Sequence, residues 1–434
     1  MAASMNQTAK SFERATERDP IVVTGVGMVA AGGLGVSANF DVLTSEEKRT
    51  TLKHYDVVGF NPAPHLSDRK VIKSVSPRDV LGLVAFEDCV KASGLDKNSI
   101  DHERTGLYVG APPSATPDNH NYSEGVEATR DGSGHVDERK FGATYRSANP
   151  TTLLQGLPNN VLCYGSKTLD ARGPNSNYTS MEVSAHLAVV GALRAIRLGR
   201  IDCAIVGGYS AHLDKVYLES QRRRPGRIKV EAVHAENYAI TPYSANDPGT
   251  IPASGACFMT IERASHAAKR GAKPFATVLS AQVASDASWP HLRLKSKHNA
   301  LEHLLSKTLR DAGLTPSVIS VISLAATGIK ELDEIEKNTV KSIFNAEGSS
   351  IPMLVGLSQR WGNLMEAGGI ADVATLKRFI DEGVVCKNVR IETDFGDIVQ
   401  RGLPTEGPVY VMVLRAAVTG EYSCMLLAMK AGVD

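Results

Sequence analysis

Three groupings of residue types in this chain have the makings of chemical sites. The segment Gly25-Val26-Gly27-Met28-Val29-Ala30 has the GxGxxA spacing of a dinucleotide fingerprint and follows the β-branched run Ile21–Thr24. That fingerprint also needs a helix opening at the glycines and an acidic residue about 20 positions on. Here the glycines continue at Gly32, Gly33 and Gly35, and no second strand ends in Asp or Glu at that distance, so the spacing reads as a tight turn. Arg222, Arg223, Arg224, Arg227 and Lys229 form the one dense basic cluster, suited to a phosphate or an acidic partner. No aromatic residues interleave it, so nothing supports stacking on nucleic-acid bases. The six cysteines (Cys89, Cys163, Cys203, Cys257, Cys386 and Cys424) include no CxxC pair, and no HExxH occurs. A disulfide framework and a zinc site are therefore not expected; the cysteines read as small buried apolar residues in a reducing, cytoplasmic setting.

Composition narrows the class. The chain has 434 residues, with 48 basic against 47 acidic side chains and a net charge of +1. Such a balance gives no global attraction to nucleic acid. No stretch approaches the roughly 18 apolar residues of a membrane span, so no membrane partner is expected. Residues 1–19 are polar, lack a secretory apolar core and read as a mobile tail.

The elements that must position any site alternate between strand and helix. Buried strands are expected at Ile21–Thr24, Gly106–Gly110, Cys203–Gly207, Ala256–Ile261, Phe275–Leu279, Val318–Ala325, Pro352–Leu357, Val409–Leu414 and Cys424–Met429. Helices are expected at Ala38–Glu47, Pro77–Ala92, Met181–Leu198, Ala300–Ala312, Glu331–Phe344 and Glu366–Ile380. Met181–Leu198 is apolar almost all round and should be buried. Residues 111–150 are rich in Gly, Pro, Asp and Asn and read as a long surface excursion. The order implies an α/β protein with mixed or parallel sheets covered on both faces, internally duplicated, with no linker between its halves.

The stretch from Gly173 to Gly208, a Gly-Pro turn, a buried helix and a strand ending in Gly-Gly, resembles the β-ketoacyl synthase family. Ile240–Ile261 resembles that family's segment ending in G-x-G-A-x-x-L. Ala267–Ala276 looks like its A-x-x-R-G-x-x-x-x-A run, and the likeness extends over residues 20–430. The resemblance implies a thiolase-like fold, duplicated βαβαβ halves in five α-β-α-β-α layers, with halves at residues 20–262 and 263–434.

The family's catalytic positions are another matter. An active synthase has a cysteine nucleophile at a buried helix start, two histidines and a lysine. By resemblance these positions hold Glu182, Ala325 and Asn363, and Ser358. Asp333 and Glu336 stand where the family has acidic residues, and the family's glycine-rich gating loop looks like Ala417–Glu421. No catalytic residue is therefore assigned. Glu182 reads mainly as an anion held by the helix start or by a base such as Arg360; general-base chemistry is the lesser reading.

Loss of all four positions is the pattern of a chain length factor, the partner of an active ketosynthase in type II polyketide synthases. That resemblance implies a heterodimer with the ketosynthase alpha subunit and a role in setting chain length through a shared acyl tunnel. The tunnel candidates are Leu153, Leu154, Gly156 and Leu157. An acyl carrier protein would deliver its phosphopantetheine arm, no other cofactor being implied, and Arg222–Lys229 would help to guide it. Alternatives are an acyl-processing enzyme using Glu182 and a homodimeric acyl-binding protein.

Overall fold

The computed structural model describes residues 19–45, 57, 59–114, 126–144, 151–211, 240–244, 249–286, 300–345, 350–383, 385, 387–391, 395 and 399–430. The tail before Asp19, the basic cluster at 222–229 and Cys386 lie outside them.

The first half runs β1 (Ile21–Ala30), β2 (Gly33–Leu34), α1 (Val36–Thr44), α2 (Pro77–Ser93), β3 (Thr105–Gly110), α3 (Asn160–Leu169), β4 (Ser176–Tyr178), α4 (Ser184–Arg197), β5 (Cys203–Ala211) and β6 (Ser254–Arg263). The second runs β7 (Ala276–Ser285), α5 (Ala300–Asp311), β8 (Val321–Ser323), α6 (Lys330–Phe344), β9 (Met353–Val355), α7 (Gly368–Asp381), β10 (Pro408–Ala416) and β11 (Glu421–Lys430). Strand order is β4-β3-β5-β6-β1 in one half and β9-β8-β10-β11-β7 in the other. The pairing senses match: β3 is parallel to β4 and β5 as β8 is to β9 and β10. The remaining neighbours, β5–β6–β1 and β10–β11–β7, are antiparallel. The halves are structural repeats, joined where β1 meets β7 at Val22–Thr277 and Val23–Ala276.

Most of the strands are buried on both faces, and their alternate residues enter different cores. On β5, Ala204 and Val206 enter a central core while Cys203 and Ile205 enter an outer one with α2. On β10, Val411 and Val413 enter the central core while Met412 and Leu414 enter a second outer core with α5 and α6. Helices α4 and α7 lie in the middle and touch strands of both halves. Three apolar cores of this kind are what five α-β-α-β-α layers require.

The glycines of the GxGxxA segment are not a turn. β1 runs through them to Ala30, and the turn comes after it. A Cβ on Gly25 would meet the Ser93 backbone at 2.5–2.6 Å, and one on Gly27 would run into the backbone of Ala85 and Cys89. The glycines let α2 lie directly on the strand, which removes the fingerprint reading on geometric grounds. α2 itself opens with a capping box between Ser76 and Asp79, with Pro77 in the first turn, and closes on Gly94 at φ 65°. Cys89, Cys203, Cys257 and Cys424 are buried as expected; Cys163, on α3, is exposed.

Candidate functional site

Glu182 sits in a single turn, Met181–Val183, that feeds α4. Met181 is held at φ 51°, an uncommon conformation for a side chain of its length. The turn is braced locally. The Val183 amide donates to Ser180 O at 3.2 Å, the Ser180 amide donates to Ser184 Oγ at 2.8 Å, and that hydroxyl donates to Met181 O at 2.7 Å. Glu182 is 2% exposed. Its Oε1 accepts from Asn363 Nδ2 at 3.2 Å, while Oε2 is buried with no hydrogen-bond partner among the described residues. Burial pushes its carboxyl up to about 7; the charge of Glu366 pushes the same way, and its own amide, Asn363 and Arg415 pull back. Arg415 is a cation whose charge reaches Glu182.

The other three positions singled out by resemblance, Ala325, Ser358 and Asn363, converge on the same region. Ala325 opens a turn through Gly328 that takes its shape from two buried carboxyls of α6. Glu336 accepts from the amides of Ala325 and Ala326 at 2.7 and 3.1 Å. Asp333 accepts from those of Thr327 and Gly328 at 2.9 and 3.1 Å. Tyr243 donates its hydroxyl to Glu336 and its amide to Asp333. Burial, with Glu336 alongside, pushes Asp333 up to about 7. Ser358 Oγ donates to Ala326 O at 2.7 Å, tying the segment before α7 to this turn. Asn363 completes the link through Nδ2, which also donates to Thr250 Oγ1 at 3.2 Å. Met181 packs on the apolar cluster that holds Ala325, Ala326, Ala416 and Val418.

Sequence reading missed a buried polar group beside this site. Arg415, 6% exposed, reaches from β10 to Asp372 of α7 at 2.6 Å. Ser323 donates to the same carboxyl. His186 of α4 bonds Ser423 Oγ at 2.8 Å, and burial and Arg415 push its imidazole down to about 3, so it is neutral. Glu366 is fully buried in the turn Met365–Ala367 that feeds α7. The available signal was a charged residue inside an apolar run, as with Arg415 and His186, and the Met-Glu pair that recurs at 181–182 and 365–366.

The tunnel candidates lie around the short helix Thr152–Gln155. Leu154 and Leu157 are exposed on this chain, at 49% and 43%, and Gly156 is half-buried. The side chain of Leu153 lies outside the described residues. Among the described residues one group of three side chains has metal-ligand spacing, Cys203, Glu262 and His266. Its carboxylate is already taken: Arg270 pairs with both oxygens, His266 Nδ1 lies 2.6 Å from Oε2, and Thr24 donates to Oε1. The group fits an ion-pair cluster and not a metal.

Residues 18–267 match the family model for the N-terminal domain of beta-ketoacyl synthase, and residues 275–392 match that for its C-terminal domain. This chain belongs to the β-ketoacyl synthase family. Among its relatives are nodulation protein E of Rhizobium meliloti, 26% identical over 83% of this chain and 84% of that protein. The tetracenomycin polyketide synthase ketoacyl synthase alpha subunit of Streptomyces glaucescens is 22% identical over 84% and 85%. Two solved structures share the thiolase-like fold. The ishigamide ketosynthase/chain length factor superposes with a TM-score of 0.76 at 19% identity, covering 95% of this chain and 100% of that one. A type II polyketide synthase acyl-carrier protein in complex with its ketosynthase bound to the hexaketide gives 0.73 at 20% identity, with the same coverage. Among the described residues no helix is long and apolar enough to cross a membrane.

Proposed function

We propose that this chain is a non-condensing, ketosynthase-like subunit. It pairs with an active ketosynthase and sets polyketide chain length by shaping a shared acyl tunnel. One observation carries the reading: Glu182 and Asn363, which the family resemblance puts at the nucleophile and a histidine position, are buried and hydrogen-bonded to each other. Condensation needs a thiolate, poised by a helix start and a base. Glu182 supplies neither a sulfur nucleophile nor, with Ala325 and Asn363 as its surroundings, an imidazole to stabilise the carbanion of malonyl decarboxylation. Likeness in fold to a ketosynthase/chain length factor supports the reading, as does the exposure of Leu154 and Leu157, two large apolar side chains suited to burial by a partner.

The partners would be a ketosynthase alpha subunit and an acyl carrier protein, whose phosphopantetheine arm carries the chain. Co-expression with such a ketosynthase, followed by size-exclusion chromatography with light scattering, tests this. A 1:1 complex is expected. A well-behaved homodimer that ignores the ketosynthase would favour the acyl-binding reading, and turnover of acyl-pantetheine by the homodimer would favour chemistry at Glu182.

A further inference from the structure

Leu154 and Leu157 are exposed, yet the backbone that carries them is fastened from beneath. The segment Leu154–Pro158 leads from the short helix Thr152–Gln155 to the start of α3. Asn160, buried at the first position of α3, reaches back with both hydrogens of its side-chain amide. One goes to Leu154 O at 2.8 Å and the other to Asp79 Oδ2 of α2 at 2.9 Å. Both partners are acceptors, so only Nδ2 can face them. Asp79 is fully buried and is itself fixed by the Ser76 amide at 3.0 Å and the Ser76 hydroxyl at 2.7 Å. Tyr209, fully buried on β5, donates its hydroxyl to Pro158 O at 3.0 Å. Burial, with the charge of Asp79, pushes that phenol well above its ordinary value, so it stays a donor at neutral pH. Gly82 lets the three elements meet: a Cβ there would lie 2.6 Å from Val161 of α3 and 3.0 Å from the Tyr209 ring.

The two fastened carbonyls, Leu154 and Pro158, stand at the two ends of the segment. A stretch that exposes its large apolar side chains has little burial of its own to hold it in one conformation. Here side chains of α3 and β5 supply the order. The Leu157 amide also donates to Leu154 O at 3.2 Å, closing a turn over Gly156. Removal of the Asn160 amide would leave Leu154 O with that partner. What is lost is the anchorage of the turn to α2, not a partner for the carbonyl.

We propose that Asn160 and Tyr209 are positioning residues that fasten Leu154–Pro158, so that its side chains meet a partner or a growing chain in one fixed arrangement. A surface ordered in advance spares its partner the cost of ordering it. That the segment borders an acyl tunnel rests on the proposed function; that Asn160 and Tyr209 hold it does not. On that reading a loosened segment is a tunnel wall of variable position, and the product spreads over several chain lengths.

The test is amide hydrogen exchange of the full chain, followed by mass spectrometry of the polyketides made by its complex with a ketosynthase alpha subunit and an acyl carrier protein. Asn160→Ala removes one fastening and Tyr209→Phe the other. The phenylalanine ring still fills the core, so Tyr209→Phe carries the test should Asn160→Ala fail to fold. Exchange in peptides spanning residues 152–160 should rise about tenfold in each variant, with β10 and β11 unchanged. In the complex each variant should spread the product over more than one length, whereas mere loss of stability would lower the yield of every length alike. Unchanged exchange in a folded variant overturns the proposal outright. Raised exchange with an unchanged product spectrum, in a complex where Gly156→Trp does shorten the product, overturns the positioning role and leaves the tunnel reading standing. If Gly156→Trp also leaves product length unchanged in an intact complex, the tunnel reading falls, and the role of Asn160 and Tyr209 in chain length falls with it.

Discussion

Asn363 grips two chain segments at once, giving its amide nitrogen to Glu182 at 3.2 Å and taking the Met365 backbone N–H on its amide oxygen at 2.9 Å. Its amide is the clasp between the turns that launch α4 and α7.

Removing that clasp should be costly. Asn363→Ala leaves the Met365 N–H buried without its acceptor and strips Glu182 of its side-chain donor. We expect a loss of about 2 kcal/mol in urea unfolding, in line with the penalty for orphaning buried polar groups. Asn363→Asp keeps the acceptor but replaces a donor with a third carboxyl, so its loss should exceed that of the alanine variant at pH 8.

The Glu262 cluster makes the opposite pH prediction. Arg270, His266 and Thr24 pull this carboxyl down to about 2 against the cost of its burial. A group lowered in the fold stabilises above its unfolded value of about 4.3 and loses that contribution as pH falls through its folded value. Acid unfolding between roughly pH 4 and pH 2 should therefore be blunted in Glu262→Gln, which breaks the pair and costs about 3 kcal/mol at pH 7. An acid transition identical to that of wild type would show that other carboxylates govern it.

Much of this architecture could be read from the chain itself. The helix Pro77–Ala92 was legible because Ser76, Asp79, Pro77 and Gly94 are local signals that tertiary packing did not need to override. Strands such as β5, β6 and β11 were legible because they are apolar on both faces, whereas the short, half-buried β2 and β4 carry no such pattern. What failed were features set by neighbours distant in sequence. Gly25 and Gly27 look like a turn until α2 is laid across them. Cys163 reads as buried until α3 turns it outward. Glu182, Ala325, Ser358 and Asn363 were singled out by family resemblance alone, and the hydrogen bond between Glu182 and Asn363 was not legible in the sequence. Glu366 and Arg415 escaped notice because resemblance directs attention to the family's catalytic positions, and neither is one of them.

Gly27 offers a stability prediction that separates a close-packed strand from a turn. A turn glycine would tolerate alanine with little loss. Here the added methyl would strike the backbone of α2, which cannot yield as a flexible side chain can. Gly27→Ala should cost about 3 kcal/mol, the upper end of overpacking penalties, measured as a fall in the urea midpoint.

Gly156 tests the tunnel reading. It is half-buried between the exposed Leu154 and Leu157. In a complex with a ketosynthase, Gly156→Trp should shorten the polyketide by blocking the growing chain. Unchanged product length in an intact complex, read by mass spectrometry, would take Gly156 out of the tunnel.

On the proposed reading, a cysteine at position 182 alone should not confer condensation. In Glu182→Cys the thiol would stand at the start of α4, where helix polarity favours a thiolate. Burial opposes it: the buried thiols of Cys89 and Cys424 are each pushed up to about 12. A condensing site overcomes that opposition with imidazoles, and Ala325 and Asn363 offer none. Glu182→Cys should therefore neither decarboxylate malonyl thioesters nor extend an acyl chain. Adding Ala325→His and Asn363→His addresses the chemistry, yet the second change also cuts the Asn363 clasp on Met365. Gain of activity in the triple variant should thus come with lower stability, whereas activity in Glu182→Cys alone would show that the scaffold still carries a working base.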